Sequence, residues 1–433
     1  MSSEFLQWCA SKRINTSKIS IQTCEKTQDR TVFAACDLLP GDVVLAVPFA
    51  ALISTPGLRC GLSQCPLDVD GVVDVSKAHF TSSERLASTL AEAREVAEDS
   101  VALDARGYVA DCLRDDVHDG PVFTWSDDDV RELQFPRAIA NVMKIKARDA
   151  RVVDRVFDVA RGASWTKRFR WALAVVRSRA VDLERDESFL APGLDMFNHS
   201  HANANVKWEA SDGGEREWIH LKATTRCAAG EELLVTYACA PSETFLLHMG
   251  FVGGFNPSDR CELWGTLAEA ANWFTETFKS EEGEEVLDKI AAQEIAEELE
   301  RQQRARERVA MVGLSSGAHD DASAELKLRE MQNLVFGPSV GWKMDYDEAL
   351  WEMFRHFTRA LMPTERADVI VRHAINKRCE EVLLSMPTTI EEDEMIFSNE
   401  QTPPRLKLAA EFRMYKKALL IRHLQSAAES ADE

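Results

Sequence analysis

The chain has 433 residues, 45% of them hydrophobic, and its 72 acidic against 51 basic side chains give a formal net charge of -21. That length exceeds one ordinary core and predicts two or three domains, while no apolar run reaches the roughly 18–20 residues that cross a bilayer, so no membrane association is expected. So acidic a surface disfavours direct nucleic-acid binding and suits a basic protein partner.

The opening stretch, Met1 to Arg13, lacks the continuous apolar centre of a secretory signal. A cytoplasmic protein is expected, with the nucleus as a second compartment. The ten cysteines are scattered along the chain and should be reduced and partly buried. Cys60 and Cys65 have a permissible metal-ligand spacing, but no second Cys or His pair follows nearby, so no metal site is expected. His79 and His118 read as isolated surface or packing residues.

In chain order, residues 30–54 hold two β-rich runs around the turn LPGD, the second interrupted at Pro48; the pattern predicts strand, turn, strand. From Ser82 to Leu113 the spacing of Leu86, Leu90, Val96 and Val101 is helical. Ser126 precedes three aspartates as a helix cap. Residues 141–160 and the stretch 165–183 also carry helical apolar faces. Residues 205–209 and 218–223 read as strands around the turn former SDGG, and 233–238 as another. Beyond residue 262 the chain turns helical, with helices expected in 281–308, 319–335, 345–361, 365–385 and 405–427, and a glycine-rich loop at 313–317. The last expected helix is entered through Pro403 and Pro404. No fixed-period repeat is visible. These elements alone indicate an α+β fold.

The stretch LAPGLDMFNHSHANANVKWE (190–209) concentrates the polar chemistry. Asp195, Asn198 and His199 stand beside Leu194, Met196 and Phe197, which fits a buried polar turn as well as a site. Tyr237, ending an apolar run, reads by itself as a packing residue.

Taken together, four ordered elements are more specific. The segment around Asp195, Asn198, His199 and Ser200 resembles the D-x-x-N-H-S signature of SET-domain methyltransferases, and RSRA (177–180), GEELLVTYA (230–238) and FLLHMGFV (245–252) resemble further elements of the branch related to the plant Rubisco large-subunit lysine methyltransferase. FLQWC (5–9), VFAACDLLPGDVVLAVP (32–48), FTWSDDDV (123–130), PTTIEEDEMIF (387–397) and PPRLKLAAEFRMYKKALL (403–420) extend the resemblance over most of the chain. It implies a SET-domain β fold in two parts, 1–80 and 181–261, around a helical insert at 81–180. An all-helical substrate-binding domain at 262–433 follows.

The resemblance also implies S-adenosylmethionine (S-adenosyl-L-methionine) as methyl donor and lysine of a non-histone protein as acceptor, with the enzyme acting as a monomer. Arg30, Val32, Arg179, Asp195, Asn198, His199 and Phe251 would form or support the donor pocket, Tyr237 would be the catalytic residue, and Tyr237 with Met249 would line the substrate channel. Two departures matter. Where the family has an acidic residue and G-x-G, this chain reads Gln28, Asp29, Arg30, Thr31, Val32, Phe33 and Ala34, and side chains at glycine positions restrict close backbone approach. Met249 stands where many relatives carry tyrosine. The alternatives are therefore a noncatalytic SET-fold interaction module and a histidine N-methyltransferase.

Overall fold

The computed structural model describes residues 3–23, 30–54, 82–99, 107–109, 113, 120–156, 162–183, 187–210, 218–278, 338–342, 347–359 and 364–429. Gln28, Asp29, Cys60, Cys65, His79, His118, the expected helices at 281–308 and 319–335 and the loop at 313–317 lie outside these residues. The chain divides into two compact units, each assembled from separated stretches. The first comprises Met1–Thr124, Lys146–Ala238 and Leu247–Gly253, and the second Trp125–Ile145, Cys239–Leu246 and Gly254–Glu433. Residues of the expected insert thus contribute to both. No described helix is long and apolar enough to cross a membrane.

In the first unit, β1 (Ile19–Thr23), β2 (Arg30–Ala34), β3 (Val43–Pro48) and β4 (Ile53–Ser54) precede the helices. After them come β5 (Val181–Leu183), β6 (Glu187–Leu190), β7 (Asn198–His199), β8 (Val206–Ala210), β9 (Trp218–Ala223) and β10 (Leu234–Val235). The strands form small sheets: β1 with β2, β3-β9-β8, β4-β6-β5, and β7 with β10. β9 alternates buried Ile219, Leu221 and Ala223 with half-buried Trp218, His220 and Lys222, the period of a strand with one covered face. In β3 the four residues Val44 to Val47 are all buried, as a strand covered on both faces requires.

The LPGD turn forms with Gly41 at φ +91°, a conformation that glycine adopts without a Cβ penalty. The Asp42 carboxylate accepts the Leu39 N–H at 2.8 Å and the Lys18 ammonium at 3.0 Å. The runs on either side of this turn are not partners: β2 pairs with β1, and β3 with β9. Two expected segments shorten. The helix Gly162–Arg179 stops before Val181, which instead pairs with Phe189 across β5 and β6. The strand expected at 233–238 contracts to Leu234–Val235, because the Tyr237 N–H turns to a side chain and leaves the ladder.

The helices Ser82–Asp99 and Gly162–Arg179 pack on each other through Leu86, Ala87, Leu90 and Ala91 against Phe169, Ala172, Leu173 and Val176, all buried. Val152 and Val153 join the same core. Trp8 stacks between Phe5 and Tyr108, with ring centroids 6.1 and 5.9 Å away.

The second unit opens on a short helix, Asp127–Arg131, capped by Ser126, whose hydroxyl accepts the Asp129 N–H at 3.1 Å. Its long helices are Glu348–Arg359, Thr364–Leu384 and Pro404–Glu429. Ile390–Ser398 lies between the last two, started by a reciprocal cap between Thr389 and Glu392. A short ribbon of β11 (Arg260–Glu262) and β12 (Ser339–Gly341) accompanies them. Phe274, Phe354 and Phe357 pack with Trp264 around the helix Leu267–Thr277.

The closing helix carries buried cations. Asp393 is fully buried and accepts from Arg413 Nε at 2.8 Å, Lys417 Nζ at 2.6 Å and the Thr388 hydroxyl at 2.8 Å. Removing the carboxylate leaves two buried cations without their shared counter-charge, and breaking such a pair costs about 3–5 kcal/mol. Asp393→Ala should therefore destabilise the second unit by that amount, read as a lowered denaturant midpoint, whereas the exposed Asp128→Ala should leave it near wild type. Equal midpoints for both variants in urea titrations would contradict this account.

Candidate active site

The signature segment is built on a tight turn. Gly193 sits at φ +92° ahead of a single helical turn at Leu194–Met196, and its N–H donates to the Asp195 carboxylate at 3.1 Å. The Asp195 side chain is completely buried. It tolerates that position because Arg179 approaches it, NH1 lying 3.4 Å from Oδ2 and donating to the Asp195 carbonyl at 2.8 Å. A buried carboxylate without such a partner would be costly. Cys9 is close enough for burial, together with the Asp195 charge, to push its thiol up to about 12.

Immediately after this turn β7 runs parallel to β10, Asn198 opposite Leu234 and His199 opposite Val235. Asn205 extends the pairing as an imitation strand: its backbone N–H donates to the Leu234 carbonyl at 3.0 Å, and its side chain accepts the Leu234 N–H at 2.8 Å and donates to the Glu232 carbonyl at 2.9 Å. The Asn198 amide donates to the Glu232 carboxylate at 3.0 Å. On the other side of 230–233, the Leu233 N–H donates to the Val32 carbonyl and the Ala34 N–H to the Glu231 carbonyl, both at 2.8 Å.

Tyr237 is held at two points. Its hydroxyl donates to the Phe197 carbonyl at 2.6 Å, and its backbone N–H donates to His199 Nδ1 at 3.0 Å. The ring lies 5.1 Å from that of His199 and 6.3 Å, edge to face, from Phe251. Burial raises the phenol to about 12, so it remains a protonated hydroxyl at neutral pH. Burial, reinforced by His201, lowers His199 to about 3 and keeps its imidazole neutral.

Phe251 reaches this place through Gly250, at φ +79°, where an added Cβ would fall 2.5 Å from the Gly120 carbonyl group. Met249 ends the helix Ser242–Met249 half-buried. Arg30 is half-buried at the start of β2, and the Val32 side chain is wholly inside the core. Tyr237, His199 and Phe251 thus converge, with Arg179 and Asp195 paired behind the same turn, whereas Val32 adjoins the site through its backbone. Arg179 Nε is buried without a hydrogen-bond partner among the described residues. Such a donor fits the acidic end of an amino-acid-like ligand.

The sequence reading missed Asn205, Glu232 and His201. The asparagine lies within the signature stretch, but nothing in its spacing says that its amide replaces a strand partner.

Residues 29–238 match the SET domain family, and residues 352–420 match the family described as Rubisco LSMT substrate-binding. Residues 29–238 have a SET-domain fold. Mixed α/β structure forms it, and a helical C-terminal domain follows. The solved structure of Rubisco LSMT bound to AdoMet is similar to this chain with a TM-score of 0.64 at 16% identity, covering 99% of this chain and 92% of that one. The structure of the SET domain of LSMT bound to lysine and AdoHcy gives 0.63, also at 16% identity, covering 99% and 90%. Among curated proteins, SET domain-containing protein 4 of Mus musculus is 30% identical over 118 residues, 25% of either chain. Its Homo sapiens counterpart is 32% identical over 97 residues, 20% of this chain and 21% of that one. The match therefore spans a quarter or less of those relatives' length.

A second histidine of the first unit is buried neutral. His248 is 2% exposed, its ring 6.4 Å from that of Phe123, and burial with the Arg177 charge lowers it to about 3. Unfolding returns both His199 and His248 to the ordinary value near 6.5. The unfolded chain then binds more protons between about 3 and 6.5, so their contribution to stability is complete above that window and is lost as pH falls through it. Denaturant midpoints measured from pH 7 to pH 4 should decline, and His248→Leu should flatten the decline. An unchanged slope in that variant would remove His248 from the account.

Proposed function

We propose that this chain is an S-adenosylmethionine-dependent protein N-methyltransferase acting on lysine of a non-histone protein. The observation that carries the reading is Tyr237, whose hydroxyl and backbone N–H are both fixed, beside His199 and Phe251, within a SET domain. Residues 1–80 and 181–261 are the two parts of that domain, 81–180 the insert and 262–433 the substrate-binding domain. AdoMet, bound in a solved structure of similar fold, would supply an electrophilic methyl group on a sulfonium.

Asn198, His199, Arg179, Asp195 and Phe251 are the residues we assign to the donor pocket, with Arg30 and Val32 at its β2 edge. The unpartnered Arg179 Nε fits a carboxylate of the donor. The Tyr237 hydroxyl donates a hydrogen bond to the Phe197 carbonyl, which leaves its oxygen lone pairs to accept from the N–H of an incoming amine. That amine must arrive deprotonated, because an ammonium has no lone pair, and buried surroundings favour the neutral form. Orientation then carries most of the catalysis. Met249 forms part of the channel wall, and a thioether makes it adaptable. The acidic surface suits a basic acceptor segment.

Tyr237→Phe should retain the fold while lowering single-turnover methyl transfer by roughly 100-fold or more, the scale of a lost transition-state hydrogen bond. Transfer at the wild-type rate would remove Tyr237 from catalysis. Incubating a native proteome with labelled S-adenosylmethionine and mapping the modified peptide identifies the acceptor, with the phenylalanine variant as control.

One observation favours a second reading, a noncatalytic interaction module. Arg30–Ala34 is a regular strand without glycine, its Val32 and Ala34 side chains packed in the core. Calorimetry with S-adenosylmethionine separates the two. Saturable binding supports the enzyme, and its absence in folded protein supports the module.

A further inference from the structure

Beside the Tyr237 site lies a histidine with no assigned role. His199 Nε2 is 3.0 Å from His201 Nδ1 and 3.3 Å from its Nε2, with the rings edge to face and their centroids 4.2 Å apart. The direction of this contact is fixed from the other end. A backbone N–H can only donate, so His199 Nδ1, which receives the Tyr237 N–H, carries no proton. A neutral imidazole holds one proton, which must then be on Nε2. Nε2–H then points to His201, whose Nδ1, at 3.0 Å, is the nearer of its two nitrogens and the acceptor we assign. The hydrogen bonds run in one sense, from the Tyr237 backbone through His199 to His201.

A glycine also lies against the His201 ring. An added Cβ at Gly253 would lie 3.3 Å from His201 Nε2 and 3.1 Å from the Phe251 ring, tighter than ordinary contact. His201 and Phe251 therefore occupy the space that the missing side chain leaves.

We propose that His201 is a positioning residue for methyl transfer: by accepting the His199 Nε2 proton it fixes the tautomer and ring plane of His199, and through them the backbone at Tyr237. This rests on the reading of Tyr237 as the catalytic group. His201 is assigned no contact with donor or acceptor; it acts through His199. Were His199 to take the other tautomer, its Nδ1–H would face the Tyr237 N–H, donor against donor. The backbone of Tyr237 would have to move, and its hydroxyl with it.

Two variants separate acceptance of a proton from bulk. His201→Asn presents an amide oxygen near the place of Nδ1, and His201→Leu fills similar space without an acceptor. With histidine-selective ¹⁵N labelling, His199 of the wild-type protein and of His201→Asn should show the Nε2–H tautomer, and His201→Leu should lose it or show exchange between tautomers. In single-turnover assays with labelled S-adenosylmethionine and the native proteome, His201→Leu should be about tenfold slower, the scale of one lost positioning hydrogen bond, and His201→Asn within about threefold of wild type. Wild-type tautomer and rate in His201→Leu would overturn the proposal, as would a His201→Asn variant no better than His201→Leu. Should the wild-type protein fail to transfer methyl at all, the methyltransferase reading falls, and the nitrogen spectra alone still decide whether His201 sets the His199 tautomer.

Discussion

The arrangement of the site depends on a two-residue parallel pairing, Asn198–His199 against Leu234–Val235. Two residues of ladder make little stability by themselves, and a parallel pair cannot be closed by a tight turn. The pairing survives because both flanks are reinforced. Asn205 supplies donor and acceptor where a longer strand would, Ser200 donates its N–H to the Val235 carbonyl at 3.0 Å, and residues 230–233 are tied on their other side to β2. The shortness is useful: a longer β10 would commit the Tyr237 N–H to the ladder, and it is that N–H which orients His199.

Charge is handled differently in the two units. Near Tyr237 the titratable groups are neutral or matched, with His199 held uncharged and Asp195 answered by Arg179. In the second unit, ionisable groups are buried within hydrogen-bonded networks. Lys416 reaches Asp259 at 2.8 Å, and Asn141 donates to Glu243 at 2.9 Å and Glu262 at 3.2 Å. Burial, then the Glu262 charge, raises Glu243 to about 7. Such networks specify which helix faces meet, since a register that left one member unpaired would cost several kcal/mol, about what a buried pair costs to break.

Much of this is legible in the sequence because it follows from periodicity. The helices Glu348–Arg359, Thr364–Leu384 and Pro404–Glu429 and the Ser126 cap occur where spacing and capping chemistry put them. β1 is not visible in that way: ISIQT is short and mixed, and pairing with β2 decides it. The helix end at Arg179 is equally hidden, since Ala180 to Leu183 continue an acceptable helical pattern and only the partner strand β6 claims Val181 to Leu183. Within the site, the motif order brings Asp195, Asn198, His199 and Tyr237 to attention. The roles of Asn205, Gly253 and His201 depend on what stands opposite them in space, which no local spacing encodes.

On the proposed reading, the neutrality around Tyr237 has a chemical consequence. A phenol raised to about 12 does not serve as a base at neutral pH, and a histidine lowered to about 3 with both nitrogens engaged is a poor one. The acceptor proton therefore has to leave before the amine is enclosed, or leave to water as it enters. What the residues contribute is selection: the Tyr237 oxygen, its O–H engaged by the Phe197 carbonyl, can accept from an N–H and offers no counter-charge to an ammonium. A carboxylate at the same place would hold the acceptor in its charged form and oppose transfer. The carboxylate buried in this turn, Asp195, is instead turned to Arg179 and to the Gly193 N–H, so that its charge holds the fold of the signature.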